Sequence, residues 1–101
     1  MEPHFSSMVE TLEELWLGPL TRARDGRFTL EDDRMIRRVL ESLDVGKSDV
    51  IPKKLVTQLW FIPQFMEWQT ERVSSHADNY NGYANLCSWV GSRIGVLLGE
   101  P

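Results

Sequence analysis

The spacing of the apolar residues, which recur every three or four positions along most of the chain, constrains the fold most strongly. That spacing places apolar side chains on one face of an α-helix, whereas a half-buried strand would need strict alternation. The first such stretch ends at the helix-breaking pair Gly18-Pro19, and Ser7 and Glu10 are spaced as a capping box at its start. Its apolar face consists of Phe5, Met8, Val9, Leu12, Leu15 and Trp16. The pattern predicts a first helix here.

The segment LTRARDGRFTL, residues 20–30, centres on the turn pair Asp25-Gly26. It could join two short strands, but an irregular loop is the favoured prediction because a lone hairpin is only marginally stable. Thr29 then supplies an N-cap oxygen for a second helix, which is expected to end near Gly46. The apolar face of that helix consists of Met35, Ile36, Val39, Leu40 and Leu43.

Two further helices complete the prediction. The third is expected to be capped by Ser48 or Asp49, with Pro52 in its first turn, and the fourth to be capped near Asp78. The inward face of the fourth helix consists of Tyr80, Tyr83, Cys87, Val90, Ile94 and Leu97. A chain of 101 residues suits one domain with one modest core. Residues 1–101 are therefore predicted to form a single all-α domain, a compact four-helix bundle.

The segment LWFIPQFMEW, residues 59–68 of the predicted third helix, concentrates aromatic residues around a proline. A helical projection places Leu55, Leu59, Ile62, Met66 and Val73 on one narrow arc, which we assign to the core. The aromatic residues Trp60, Phe61, Phe65 and Trp68 lie on the two flanks of that arc. A helix that is apolar on so many sides lies at the centre of its own domain or is covered by another chain. These four residues are therefore candidate interface residues.

Pro63 lies in the middle of this aromatic segment. It removes a hydrogen bond to the Leu59 carbonyl and costs about 3 kcal/mol in a helix interior unless the helix bends. We therefore predict that the third helix is kinked between Trp60 and Gln64. Such a bend would either splay the rings into a contact surface or curve the helix over a small core.

Small residues form a second candidate interface on the predicted fourth helix. Gly91 and Gly95 lie four positions apart, in line with Cys87 before them and Gly99 after them. Small side chains at this spacing let another helix approach closely. The approaching helix could belong to the same chain or to a symmetry-related copy, and the sequence leaves both open.

Charge and cysteine content narrow the classes of partner and compartment. Fifteen acidic and eleven basic residues give a net charge of -4, which disfavours a generic nucleic-acid or anionic-membrane surface. Cys87 is the only cysteine, which fits a reducing compartment. The N-terminus does not resemble a signal peptide, and no run of eighteen apolar residues occurs. A cytoplasmic protein without nucleic-acid or membrane partners is expected.

One spacing raises the alternative of an enzyme. Glu10-x-x-Glu13 followed by Glu41-x-x-Asp44 has the arrangement of acidic pairs with which all-α nucleoside-triphosphate pyrophosphohydrolases hold Mg²⁺. In the helical projection, however, both pairs point away from the apolar faces of their helices, so the carboxylates would not converge within one bundle. His4 and His76 also lack ligand spacing. We therefore expect no catalytic residue, metal or cofactor.

The sequence thus favours a small non-catalytic interaction or regulatory module, such as an adaptor, an inhibitor or an antitoxin-like protein. It would bind a protein partner or form a homo-oligomer through the aromatic face of the third helix, with an amphipathic partner segment laid along that face. The alternative is the Mg²⁺-dependent nucleotide hydrolase.

Overall fold

The computed structural model describes residues 3–43, 51–76 and 81–98, which form helices and no strand. The elements are α1 (Pro3–Leu17), α2 (Pro19–Arg24), α3 (Leu30–Ser42), α4 (Lys53–Trp68), α5 (Thr70–His76) and α6 (Tyr83–Leu98). The predicted all-α class is confirmed. The four predicted helices correspond to α1, α3, the pair α4 and α5, and α6, while α2 is an additional short helix.

The first helix begins earlier than the capping signal indicated. α1 starts at Pro3, and a proline fits the first helical position because its missing N–H would have no partner there anyway. Ser7 lies inside α1, where its carbonyl oxygen accepts a hydrogen bond from Thr11 Oγ1 at 2.9 Å. The predicted capping box of Ser7 and Glu10 is therefore wrong, whereas the end of the helix at Gly18-Pro19 is confirmed.

The predicted loop over residues 20–30 is wrong for its first part, which forms α2. A six-residue helix is not stable alone, and α2 is held by tertiary packing, since Leu20 and Ala23 are fully buried. The turn at Asp25-Gly26 is present, with Gly26 at a φ of 75°, in the left-handed region that favours glycine. No hairpin forms around it.

The start of α3 follows the sequence prediction. Thr29 is its N-cap, and its side chain accepts a hydrogen bond from the backbone N–H of Asp32. The Asp32 carboxylate accepts in turn from the backbone N–H of Thr29 at 3.0 Å, which completes a capping box. The same carboxylate accepts two hydrogen bonds from the Arg22 guanidinium, at 2.8 and 2.6 Å. This network joins α2 to the start of α3.

The end of α3 depends on a residue from the other end of the chain. α3 ends at Ser42, where the last carbonyl groups of a helix lack intrahelical partners. Arg93 on α6 donates hydrogen bonds to the carbonyl oxygens of Leu40, Glu41 and Leu43, at 3.0 to 3.2 Å. The guanidinium thus caps α3 and joins it to α6.

The predicted third helix is divided into two, α4 and α5, at Gln69. α4 runs through Pro63 without ending there, and the kink at Pro63 stays a prediction. Val73, assigned to the same stripe as Leu59, is buried on α5. Three predicted helix bounds are wrong: α3 ends at Ser42 and not near Gly46, α4 begins after its N-cap Pro52 and not at a cap on Ser48 or Asp49, and α6 begins at Tyr83 and not near Asp78. Six residues of the sequence predictions lie outside the described residues: Gly46, Ser48, Asp49, Asp78, Tyr80 and Gly99.

The buried apolar residues form one cluster in which α4 and α6 are central. α4 packs against α1, α5 and α6, and α6 packs against α3 and α5 as well. The predicted core arc of α4 is fully buried at Leu55, Leu59, Ile62 and Met66. No described helix combines the length and the apolar character needed to cross a bilayer.

Candidate functional site

Five aromatic residues form what we call the aromatic surface: Trp16 on α1 and Trp60, Phe61, Phe65 and Trp68 on α4. Trp16 stacks on Phe61 with ring centroids 5.6 Å apart, and Phe61 meets Trp68 edge to face at 5.8 Å. The rings therefore continue from α1 across α4. From the sequence, Trp16 was assigned only to the apolar face of its own helix. A helical projection treats one helix at a time and therefore could not show its contact with Phe61 on α4.

Three rings of this surface are accessible. Trp60, Phe61 and Trp68 are exposed to 68%, 39% and 60%, respectively, whereas the core residues Leu59 and Met66 of the same helix have no exposed surface. Large apolar side chains held in contact with one another at a surface are typical of binding sites. The contacts that Phe61 makes with Trp16 and Trp68 also reduce the conformational entropy that these side chains would lose when a partner binds.

Phe65 has a different environment from its neighbours. It is half-buried and packs against the core cluster. Its ring meets Trp16 edge to face, with centroids 4.9 Å apart. Phe65 therefore supports the exposed rings from below, and α1 and α4 are joined through it.

Charged residues of opposite sign lie at the two ends of α4. Lys53 and Lys54 are exposed in the first turn, and Glu67 is exposed in the last turn. This order is the reverse of what the helix dipole favours, which is acidic residues at the N-terminus and basic residues at the C-terminus. Lys54 Nζ lies 4.0 Å from Glu13 Oε1 on α1, at the limit of an ion pair.

The candidate glycine interface borders a groove between α4 and α6. Two adjoining clefts of about 410 and 590 Å³ share Pro63, Glu67 and Gly91 in their walls. Gly91 is exposed, and a Cβ atom at this position would meet nothing within 4 Å. Gly95 is buried. The protomer itself thus does not pack against Gly91, and its contact with a second chain stays a prediction.

The environment of Cys87 suppresses its reactivity. Burial raises the pKa of the Cys87 thiol to about 11, and burial likewise raises the pKa of the Tyr83 hydroxyl. That hydroxyl donates a hydrogen bond to the Met66 carbonyl at 2.7 Å, which joins α6 to α4. A protonated thiol at neutral pH is a poor nucleophile.

The acidic residues of the hydrolase alternative do not form a cluster in the described part of the chain. Glu10, Glu13 and Glu41 are exposed on α1 and α3, and Asp44 lies outside the described residues. Among the residues that can be described, no three His, Cys, Asp or Glu side chains are grouped so that they could hold a metal ion.

In the part of the chain that the structure describes, the buried carboxylates are those of Asp32 and Asp33, which lie elsewhere, on α3. Asp32 pairs with Arg22, and Asp33 Oδ1 accepts from Arg37 Nε at 2.7 Å. Arg37 also lies over the ring of Trp89, with 5.2 Å between the guanidinium carbon and the ring centroid. The Arg22–Asp32 pair connects α2 to α3, the Asp33–Arg37 pair lies within α3, and the contact of Arg37 with Trp89 connects α3 to α6.

Comparisons with protein-family models, curated proteins and solved structures find no match to this chain. The aromatic surface and the charges around it are therefore the features from which a function can be argued.

Proposed function

We propose that this protein is a small interaction module that binds a protein partner, or a second copy of itself, through the aromatic surface. The observation that carries the proposal is the continuous contact of Trp16, Phe61 and Trp68 at a surface where Phe61 and Trp68 remain accessible. Tryptophan is enriched among the few residues that dominate binding energy at protein interfaces. A regulatory role as an adaptor, inhibitor or antitoxin-like protein would use such a surface.

The support from Phe65 and Trp16 distinguishes this surface from isolated exposed apolar residues. Leu17 and Val96 are also exposed, but single apolar residues at a surface are normal in folded proteins. On α4, by contrast, Phe65 packs edge to face on Trp16, and Phe61 packs edge to face on Trp68. Edge-to-face contact is a favourable geometry for aromatic rings. A partner would therefore find a preformed apolar surface, which lowers the cost of binding.

The test is capture of partners from the native host by the immobilised 101-residue chain. Trp68→Ala and Phe61→Ala should each weaken the retention of a specific partner by about 30-fold, which corresponds to about 2 kcal/mol. Val96→Ala is the matched control, since Val96 is 69% exposed on α6 and lies outside the aromatic surface. At low protein concentration, the melting curves of Trp68→Ala and Val96→Ala should match the wild type, whereas Phe61→Ala should melt slightly lower because it removes the ring that stacks on Trp16. Equal retention by all four proteins, together with self-association that neither Trp68→Ala nor Phe61→Ala weakens, would contradict the proposal.

A further inference from the structure

The exposed residues of α4 form two rows in which residues seven positions apart follow one another along the helix. One row contains Lys53, Trp60 and Glu67, and all three are exposed. Seven residues are nearly two helical turns, so this row runs almost parallel to the helix axis over about 21 Å. Its order is basic, aromatic and acidic.

The second row, one position further along the chain, contains Lys54, Phe61 and Trp68, and these are also exposed. Its order is basic, aromatic and aromatic. Thr57 and Gln64 lie between the two rows, and both are exposed. We call these eight residues the outer face of α4.

We propose that the occupant of the outer face is a second copy of this chain, a proposal that rests on the function proposed above. The two α4 helices would lie antiparallel about a twofold axis between Trp60 and Phe61. In an isologous pair each contact occurs twice, because the same patch is used by both copies. Such a pair brings Lys53 level with Glu67 of the partner subunit, on the same edge of the interface.

The same symmetry matches the remaining residues. Trp60 and Phe61 each meet the identical residue of the partner subunit at the centre, and Thr57 lies level with Gln64 of the partner subunit. Lys54 lies level with Trp68 of the partner subunit, where an ammonium group over an indole ring is favourable. A parallel pair would instead exchange the two edges, so that Lys53 would lie beside Lys54 of the partner subunit and Glu67 beside Trp68 of the partner subunit. Charges that flank a helix pair select its orientation in this way.

The unfavourable charge order of α4 is relieved in this arrangement. Lys53 stands at the positive end of its own helix dipole and Glu67 at the negative end. An antiparallel neighbour brings the partner's Glu67 to the helix end where Lys53 lies. The feature that is unfavourable in one protomer thus becomes complementary between two copies.

The size of the exposed surface indicates a weak dimer. Trp60, Phe61 and Trp68 together expose roughly 250 to 420 Å² per protomer, given their exposed fractions and about 150–250 Å² for an aromatic side chain. A standard interface buries about 800 Å² on each partner, so the flanking lysine, threonine and glutamine side chains must contribute. We expect a dissociation constant of about micromolar order.

The experiment is sedimentation equilibrium of the full chain between about 1 µM and 1 mM, with single and double charge reversals. Lys53→Glu and Glu67→Lys should each weaken the dimer about 10-fold or more, because each creates two like-charge contacts per dimer. The double variant restores opposite charges and should return to within about 3-fold of the wild type. An equimolar mixture of the two single variants should form a heterodimer tighter than either homodimer.

Glu10→Lys is the matched control for Glu67→Lys, since it makes the same change from a negative to a positive charge at an exposed position on α1. It should leave the dissociation constant within about 3-fold of the wild type. A chain that stays monomeric up to 1 mM would overturn the inference. So would a dimer that the charge reversals weaken no more than the control does, or one that the double variant and the mixture do not restore.

These outcomes can be separated from failure of the proposed function. If the chain is monomeric while Trp68→Ala and Phe61→Ala lose a captured partner, the inference fails and the proposed function stands. If neither substitution affects capture or self-association, the proposed function fails. If the charge reversals behave as expected and Trp68→Ala also weakens the dimer, both are supported.

Discussion

At the scale of single residues, the aromatic side chains of α4 have different structural roles. Phe65 packs against the core cluster and Trp16, whereas Phe61 and Trp68 cover the outer side of the helix. The sequence could separate the core residues of α4 from its exposed rings, because helical periodicity alone determines which side chains share a face. It could not place Trp16 beside Phe61, since that contact depends on how α1 packs against α4.

The first prediction separates core from surface on α4. Leu59→Ala should lower the free energy of unfolding by about 2 to 5 kcal/mol, because it opens a cavity at a fully buried position. Trp68→Ala should change it by less than about 0.5 kcal/mol in the monomeric range, because Trp68 is exposed. Urea denaturation at low protein concentration measures both. A larger loss for Trp68→Ala than for Leu59→Ala would show that Trp68 belongs to the core.

The second prediction concerns the carboxylate that joins α2 to α3. Asp32→Ala should cost about 2 to 3 kcal/mol, because it removes the capping box and two charge-assisted hydrogen bonds from Arg22. The matched control is Glu31→Ala in the same helical turn. Glu31 is exposed and makes a surface ion pair with Arg34, which contributes little. Similar losses for the two variants in urea denaturation would contradict the proposed role of Asp32.

The third prediction is a loss of stability in alkali. The folded chain raises the pKa of Cys87 from its ordinary value of 9.0 to about 11, so the folded state holds that proton more tightly than the unfolded state. This contribution to stability is fully present below about pH 9 and is lost as the pH rises through about 11. Burial of Tyr83 acts in the same direction. Urea midpoints between about pH 7 and 11 should fall less for Cys87→Ala than for the wild type, and parallel curves would exclude a contribution from Cys87.

At the scale of helices, local chemistry determined some ends and distant residues determined others. The start of α3 could be predicted because Thr29 and Asp32 are three positions apart and make the cap by themselves. The end of α3 involves Arg93, which lies about fifty positions away in the sequence. Short-range signals do not report such a contact. α2 was missed for a related reason, because its helical state depends on burial of Leu20 and Ala23 by other helices.

The fourth prediction concerns the glycines of α6 and of the turn after α2. Gly91→Ala should raise the free energy of unfolding by roughly 0.5 to 1 kcal/mol, because alanine favours a helix and its Cβ would meet nothing within 4 Å. Gly26→Ala is the opposite case, since a φ of 75° strains a side-chain-bearing residue. It should lower the melting temperature. A destabilising Gly91→Ala at low concentration would mean that Gly91 is covered within the protomer.

At the scale of the whole molecule, the all-α class could be predicted because every long apolar pattern in the sequence had the helical period. The described helices bury one cluster of apolar residues, and the predicted stripes supply most of it. The sequence was less informative about which exposed residues would form an interface. The sequence marked Trp60 as a candidate interface residue but not Lys53 or Glu67, and the relation of the three emerges once α4 is seen as a continuous helix with one open side.

The last prediction joins the stability of the whole molecule to its self-association. A dimer formed only by folded chains adds stability that grows with protein concentration, so the melting temperature should rise between about 5 and 500 µM. Glu67→Lys should abolish most of that rise without changing the melting temperature at the lowest concentration, because Glu67 is exposed in the protomer. Glu10→Lys should keep the full rise. A melting temperature that is independent of concentration for the wild type would mean that the open side of α4 is not covered by a second copy, because no other step in the unfolding of a monomer depends on concentration.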